Sequence, residues 1–277
     1  MIADELAALA QALLAGGDAA GAIAACRQAL AVDPDCLAAH VCMARAKLPG
    51  DDYLAWLARF HAALAPATYV EIGVDAGRTL SLARPPTLAI GVDPALSGSA
   101  PSFAAKTRTF AMESDAFFAS PDAGALFKLA PVALAFVDGL HLFEQALRDF
   151  LHVERHAARG SVVLFHDCLP LDRATSARER RTGFWSGDVW KLLPILREHR
   201  PDLDAFVIPA YPTGLGVVTR LDPSSTRLDG ARLEEITRSW VPREWSDAPG
   251  EAPALPLVEN DGPAVLARIR GASASGG

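Results

Sequence analysis

Two short clusters of acids and histidines each follow an apolar run that is typical of a buried strand. Asp138 and His141 follow the first run, and His166 and Asp167 follow the next one along the chain. Because the carboxyl ends of parallel strands border the ligand crevice of an open sheet, we expect these four side chains to lie close together. Carboxylates and imidazoles bind divalent cations, and histidine titrates near neutral pH. The pattern therefore predicts a site that could hold a metal ion and move a proton.

Each of these residues also has an ordinary structural explanation. Asp138 could cap the helix that follows it, and His141 could be a first-turn residue with no catalytic task. The pair His166 and Asp167 could form a turn that is bonded to the backbone. The sequence leaves these alternatives open.

A second signal is a turn bracketed by glycines between two predicted strands. Gly73 and Gly77 bracket the turn, and Asp93 ends the next strand about twenty residues later. Glycine permits a positive φ and lets a ligand approach the main chain, and an acid at this distance can accept hydrogen bonds from ribose hydroxyls. The spacing is G-x-x-x-G, which disfavours the G-x-G-x-x-G site of a nicotinamide dehydrogenase. Any Rossmann-like βαβ unit with a glycine turn is the simpler alternative.

The pattern E-x-G-x-x-x-G-x-[ST] beginning at Glu71, followed by a G-V-D strand end, resembles class I S-adenosylmethionine-dependent methyltransferases. The resemblance implies that Glu71, Gly73 and Gly77 surround the methionine part of S-adenosylmethionine and that Asp93 holds its ribose. The third glycine that is usual in this motif is Arg78 here, so the turn is a variant.

The same resemblance implies a place for the adenine after the third predicted strand. In that family the loop there flanks the adenine, and an acid often bonds its amino group. Ser114 and Asp115 match this position. Alternatively, one of them is only the N-cap of the following helix.

The motifs D-G-x-H-x-x-E, beginning at Asp138, and H-D at His166 resemble a narrower group, the metal-dependent O-methyltransferases of the macrocin O-methyltransferase type. The match spans roughly residues 66–219. The resemblance implies that Asp138, His166 and Asp167 bind a divalent metal, Mg²⁺ or Mn²⁺. It also implies that His141 is the general base for a substrate hydroxyl, so His141 and His166 are the candidate catalytic histidines. His166 stands where the family carries a carboxylate.

The elements that position these residues predict an α/β protein, with a Rossmann-like, mostly parallel sheet, a C-terminal antiparallel strand pair and a small all-α N-terminal segment before it. Residues 1–50 resemble one tetratricopeptide repeat, with a plain helical extension as the alternative. Residues 51–221 are the predicted methyltransferase domain. Residues 222–277 are a predicted extension with one helix and disorder from Gly271 onward.

The Arg-rich segment 171–187 is long and polar, which is typical of a lid or a binding loop. These arginines could simply be solvated charges, whereas arginines that bound substrate would imply a carboxylate or a phosphate on it. Trp185 and Trp190 could stack on a sugar or an aromatic ring, or they could be interface residues. We therefore expect a small-molecule substrate that is acidic or glycosylated.

Composition excludes several other classes of protein. The net charge of −7 provides no basic face for nucleic acid, and no apolar run is long enough to span a membrane. The N-terminus is a poor signal peptide, and the four cysteines form no C-x-x-C pair, so we expect a cytoplasmic protein. The incomplete repeat is consistent with a homodimer.

The sequence therefore predicts an S-adenosylmethionine-dependent methyltransferase that carries out metal-assisted O-methylation of a small-molecule hydroxyl. Two alternatives remain. One is a non-catalytic module that binds cofactor or partners, and the other is an oxidative tailoring enzyme on the same fold.

Overall fold

The computed structural model describes residues 2–97, 102–228, 230–248 and 254–274. For residues 273 and 274 it describes the backbone only. The strands are β1 (Thr68–Ile72), β2 (Leu88–Val92), β3 (Lys106–Phe110), β4 (Val132–Val137), β5 (Ala157–Phe165), β6 (Asp204–Ile208) and β7 (Leu215–Thr219). The α-helices are α1 (Ile2–Ala15), α2 (Ala19–Val32), α3 (Leu37–Lys47), α4 (Tyr53–Leu64), α5 (Ser114–Ala119), α6 (Pro121–Leu129), α7 (Phe143–Arg155), α8 (Leu192–His199), α9 (Gly230–Trp240) and α10 (Gly262–Ala274).

The strands form one sheet in the order β3-β2-β1-β4-β5-β7-β6. The first five strands in this order are parallel, whereas β7 runs antiparallel to both β5 and β6. This arrangement confirms the predicted fold, a Rossmann-like, mostly parallel sheet with a C-terminal antiparallel pair after an all-α segment. The strand order reverses between β1 and β4, so a ligand crevice is expected at their carboxyl ends.

Both faces of the sheet are covered, which explains why its central strands are almost uniformly apolar. Every residue of β4 except Ala133 is buried. One face packs against α5 to α9 through side chains such as Phe117 and Phe150. The other face packs against α4 and α10 through side chains such as Trp56 and Val265.

The N-terminal helices α1, α2 and α3 share a separate core of alanines, cysteines and one methionine. Asp18 is the N-cap of helix α2, and its side chain accepts a hydrogen bond of 2.8 Å from the Gly21 amide. The predicted helical hairpin is therefore present. Its likeness to a tetratricopeptide repeat stays a prediction, as do the domain boundaries.

The C-terminal extension is more ordered than the sequence predicts. It carries two helices, α9 and α10, where one was expected, and α10 continues past Gly271 to Ala274. The reason is burial, because Val265 and Ile269 of α10 pack into the core on the α4 face. The remainder of the predicted disordered end, residues 275–277, lies outside the described residues.

Asn260, just before α10, binds the joint between the N-terminal helices and the sheet. Its Oδ1 accepts a 2.7 Å hydrogen bond from the Trp56 indole, and its Nδ2 donates to the carbonyls of Pro49 and Asp51. Among the described helices, none is long and apolar enough to cross a membrane.

Candidate active site

A cleft of about 820 Å³ opens at the carboxyl ends of the parallel strands. Eight of the ten predicted site residues line it, namely Gly73, Asp93, Ser114, Asp115, Asp138, His141, His166 and Asp167. The other two, Glu71 and Gly77, do not reach its surface. The glycine turn and the acid–histidine residues therefore share one site, as the sequence predicts.

We call the part of the cleft around the β1 turn and the end of β2 the turn half, residues 73–79 and 93–94. Asp93 shapes it. Its Oδ2 accepts hydrogen bonds of 2.8 Å from the Val74 and Asp75 amides, and its Oδ1 accepts one of 2.7 Å from the Ala95 amide. A carboxylate has about four acceptor positions, so Asp93 retains one for a ligand. Its contact with ribose stays a prediction.

The turn needs its glycines for two reasons. Gly73 and Gly77 have φ values of 85° and 73°, which side chains rarely adopt. A Cβ on Gly73 would also lie 2.0 Å from the carbonyl oxygen of Asp138. The main chain after β1 therefore lies directly against the main chain after β4.

Glu71 supports the turn from behind. Its side chain is buried and accepts hydrogen bonds from the Tyr69 hydroxyl at 2.5 Å and from the Thr79 hydroxyl at 2.7 Å. Burial raises the pKa of Glu71 to about 8. The sequence predicts that Glu71 faces the methionine part of the cofactor, whereas the structure places it outside the cleft lining.

Ser114 and Asp115 reach the cleft from the start of α5, but neither is its N-cap, which is Glu113. Ser114 donates a 2.6 Å hydrogen bond to Asp149, and Asp115 pairs with Arg148 and His152 at 3.2 and 2.9 Å. Their contact with adenine stays a prediction.

Asp149 is a cleft residue that the sequence reasoning missed. It is buried on α7, and burial raises its pKa to about 6. An acid inside the apolar stripe of a helix was the available signal.

The four side chains at the ends of β4 and β5 form what we call the cluster half: Asp138, His141, His166 and Asp167. His141 lies 2.9 Å from Asp167 through Nδ1 and 3.5 Å from Asp138 through Nε2. The Nδ1 atom of His166 lies 3.3 Å from both acids. Thr213, on the loop before β7, donates to Oδ1 of Asp167 at 2.5 Å. The convergence expected of adjacent strand ends is therefore present.

Two residues of the cluster half have left-handed backbone. The φ values of His141 and Asp167 are 60° and 62°, which are uncommon without glycine. The Asp188 amide donates to the His141 carbonyl at 3.2 Å, and a Cβ on Gly187 would meet that carbonyl oxygen at 2.0 Å. Surrounding packing thus holds conformations that cost energy, as is common at functional sites.

Charge links the members of the cluster half. Burial alone would lower the pKa of His166, but Asp138 and Asp167 raise it well above its usual value. Burial alone would raise the pKa of Asp167, but His166 and His141 lower it. His166 and Asp167 therefore stabilise each other's charged forms.

Three of these side chains fit a divalent cation. Asp138, His141 and Asp167 each offer a ligand atom, and the three atoms lie within 4.8 Å of one another. Although His141 Nδ1 and Asp167 Oδ2 are close, they are not in hydrogen-bonding geometry, and both are buried without a partner among the described residues. Two carboxylates and an imidazole suit several divalent metals. The sequence predicts His166 as the third ligand, whereas the structure groups His141 with the acids.

The segment 171–187, which we call the lid, closes the cluster half from outside. The Trp185 ring stacks on His141 with centroids 5.1 Å apart, and Gly183 and Phe184 also line the cleft. Helix α3 contacts the outer side of the lid, where His40 stacks on Phe184 at 5.4 Å.

Two candidate side chains of the lid and of the segment after it contact other protein groups. Arg178 forms ion pairs with Glu144 of α7 and with Asp188, so its charge stabilises the position of the lid. Trp190 is buried, packs against Trp245 and does not line the cleft, so it cannot stack on a substrate there.

Part of the chain matches a known protein family. Residues 70–168, about a third of the chain, match a family model described as a methyltransferase domain. No curated protein matches the sequence.

Several solved structures are similar in fold. The O-methyltransferase TomG from Streptomyces achromogenes, in complex with S-adenosylmethionine, is 17% identical over 59% of this chain and 77% of its own, with a TM-score of 0.43. An O-methyltransferase from Bacillus cereus, in complex with S-adenosylhomocysteine, is 13% identical over 64% and 86%, with a TM-score of 0.43. The MycE methyltransferase of the mycinamycin pathway, in complex with Mg and S-adenosylhomocysteine, is 14% identical over 62% and 50%, with a TM-score of 0.41.

The matched stretch runs from β1 to just past the end of β5. It contains the turn half and the cluster half, but not Thr213 or the lid. The family-model match therefore relates this part of the Rossmann-like sheet to methyltransferase domains.

Proposed function

We propose that this protein is an S-adenosylmethionine-dependent methyltransferase that methylates a hydroxyl group of a small molecule with the help of a divalent cation. The observation that carries the proposal is the meeting of two kinds of site in one cleft of about 820 Å³. The turn half is suited to a nucleoside, and the cluster half is suited to a cation and a reactive hydroxyl. The match of residues 70–168 to a methyltransferase domain supports the same activity.

The turn half would bind and orient the cofactor. Asp93 retains one acceptor position for a ribose hydroxyl, while its other contacts fix the turn. Ser114 and Asp115 line the cleft beyond it, where the adenine would extend. A rigid turn of this kind holds the sulfonium methyl in a fixed direction, and orientation is the main requirement of direct methyl transfer.

The cluster half would activate the acceptor hydroxyl. Asp138, His141 and Asp167 would hold the cation. The cation would lower the pKa of a substrate hydroxyl bound beside it. His166 has a buried Nε2 without a partner among the described residues, and it lines the cleft. In this arrangement neutral His166 would be the proton acceptor, because a cation held by Asp138 and Asp167 would offset the two negative charges that otherwise raise the His166 pKa.

The family resemblance implies the reverse assignment of the two histidines, with His166 as the ligand and His141 as the base. The position of His141 against Trp185 on the cleft face favours this alternative. Asp138 and Asp167 are common to both assignments, so substitution of each histidine can separate them.

The first test is binding of S-adenosylhomocysteine, measured as thermal stabilisation of the whole protein. A ligand at one hundred times its Kd adds roughly 2.7 kcal/mol to the unfolding free energy. We expect this shift in the wild type and its loss in Asp93→Asn. Asp122→Asn is the matched control, because Asp122 is largely exposed on α6 and does not line the cleft. Absence of stabilisation in the wild type would overturn the proposal.

The second test is stabilisation by Mn²⁺, in the wild type and in Asp138→Asn, with a chelator as the reference state. We expect Mn²⁺ to raise the Tm of the wild type only. Of His141→Gln and His166→Gln, the variant that loses the Mn²⁺ response identifies the third ligand. An equal response in Asp138→Asn and wild type would remove the metal from the proposal and favour a simple cofactor-binding module.

A further inference from the structure

Most of the charged side chains that line the cleft are acids, which repel an anion. Seven carboxyl groups reach its surface, and Arg78 is the only arginine or lysine among the described residues that do so. A ligand carboxylate placed elsewhere in this cleft would lie among like charges, apart from the two histidines of the cluster half. Opposite charge within a few ångströms, in contrast, favours a bound carboxylate.

Arg78 is an exposed arginine that forms no ion pair with a carboxylate among the described residues, whereas Arg178 and Arg200 are each held by two acids. The main-chain carbonyl of Arg78 accepts a hydrogen bond from the Ser81 hydroxyl. Its five N–H donors are therefore available, in a planar fork that matches a carboxylate.

The connectivity of the proposed cofactor places a carboxylate near this residue. With its ribose at Asp93 and its methyl group directed at the cluster half, the amino-acid end of S-adenosylmethionine must lie over the end of β1. Arg78 lines the cleft six residues after the end of β1, and Tyr53 also lines it, with its ring 4.5 Å from that of His166 in the cluster half. This is also the position at which the methyltransferase motif usually has a glycine, which cannot provide a cation.

We propose that the guanidinium of Arg78 binds the carboxylate at the amino-acid end of S-adenosylmethionine. The inference rests on the proposed function and adds a binding residue to it. The neighbouring carboxyl groups remain available for the ammonium group of the same ligand. With the carboxylate at Arg78 and the ammonium group near the acids, the amino-acid end of the ligand has one orientation in the cleft.

The test compares two ligands that differ in that end. S-adenosylhomocysteine carries the amino acid, whereas 5′-methylthioadenosine has a methyl group in its place. We expect Arg78→Gln to raise the Kd of S-adenosylhomocysteine by about 10- to 100-fold, as for loss of a hydrogen bond to a charged group, and to leave the Kd of methylthioadenosine within about twofold. Arg78→Lys, which keeps the charge and loses the fork, should fall between. Calorimetric titration measures all of these values.

Arg84→Gln is the matched control, because it removes the same charge six residues later at a side chain that does not line the cleft. Its two Kd values should match those of the wild type. An unchanged Kd for S-adenosylhomocysteine in Arg78→Gln would overturn the inference alone. Equal weakening of both ligands would also overturn it, since that pattern indicates damage to the turn. Failure of the wild type to bind S-adenosylhomocysteine would instead overturn the proposed function.

Discussion

Asp93 and Asp167 are both carboxylates at strand ends in the same cleft, but they are held in different ways. Asp93 accepts three hydrogen bonds from main-chain amides within its own βαβ unit. Asp167 lies among two histidine side chains and a threonine hydroxyl, and the threonine is 46 residues away in the chain. The turn half is thus built from local main chain, and the cluster half from side chains brought together by the sheet.

The difference shows where a ligand is needed. In the turn half the acceptors and amides are largely satisfied, so folding alone fixes the geometry. In the cluster half His166 Nε2 is buried without a hydrogen-bond partner among the described residues, and His141 Nδ1 and Asp167 Oδ2 are 2.9 Å apart but outside hydrogen-bonding geometry. Two of its residues are also left-handed. Unsatisfied buried polar atoms destabilise a protein unless something else satisfies them. The cluster half is therefore the part of the site that a bound cation and substrate would complete.

The largest expected effect comes from a substitution at the contact between the turn half and the cluster half. Gly73→Ala places a Cβ 2.0 Å from the Asp138 carbonyl oxygen, at a φ of 85°. We expect a loss of about 3 kcal/mol in the unfolding free energy, together with weaker Mn²⁺ stabilisation, because the clash moves the end of β4. Urea unfolding measures the first quantity and thermal shift the second.

The control for this prediction is Gly124→Ala on α6. An added Cβ there meets nothing within 4 Å, so we expect a gain of up to about 1 kcal/mol from helix propensity. If Gly73→Ala were as stable as the wild type, the two halves would be mechanically independent.

The next effect concerns how the turn half responds to pH. Burial raises the pKa of Glu71 to about 8, from about 4.5 when unfolded. Its contribution to stability is therefore fully present below pH 4.5 and is lost as the pH rises toward 8. We expect Glu71→Gln to gain on the wild type by a few kcal/mol between pH 5 and pH 9, because each pKa unit corresponds to about 1.4 kcal/mol. Urea unfolding at several pH values measures this difference, and parallel curves would show that Glu71 is ionised in the folded protein.

The smallest effect tests how far the cluster half depends on the N-terminal helices. His40→Ala removes the ring that stacks on Phe184 of the lid, an interaction worth about 1 kcal/mol. We expect trypsin to cleave the lid after Arg180 or Arg181 about fivefold faster, since local opening becomes easier. Leu9→Ala, on an exposed face of α1, should cleave at the wild-type rate. Equal rates in the two variants would show that α3 does not hold the lid.

The fold and the convergence of the site residues could be predicted from the sequence. Apolar runs such as the one before Asp138 indicated buried parallel strands, and parallel strands bring their carboxyl ends to one edge. The position of Asp93 followed from its distance to the glycine turn. These features depend on short stretches of chain, in which residue type and spacing carry the information.

Other features depended on contacts that the sequence does not show. The orientation of Glu71 away from the cleft follows from hydrogen bonds with Tyr69 and Thr79. The grouping of His141 with the acids requires its left-handed backbone and the lid against it. Helix α10 was missed because its few apolar residues become significant only where they pack beneath the sheet.

The contacts of Asn260 bear on whether residues 1–50 can be exchanged independently of the rest of the chain. One amide side chain joins the carbonyls of residues 49 and 51, the Trp56 indole and the segment that leads into α10. A main-chain carbonyl is present whatever residue stands at position 49, so an exchange of residues 1–50 alone would preserve this junction as long as Trp56 and Asn260 are retained.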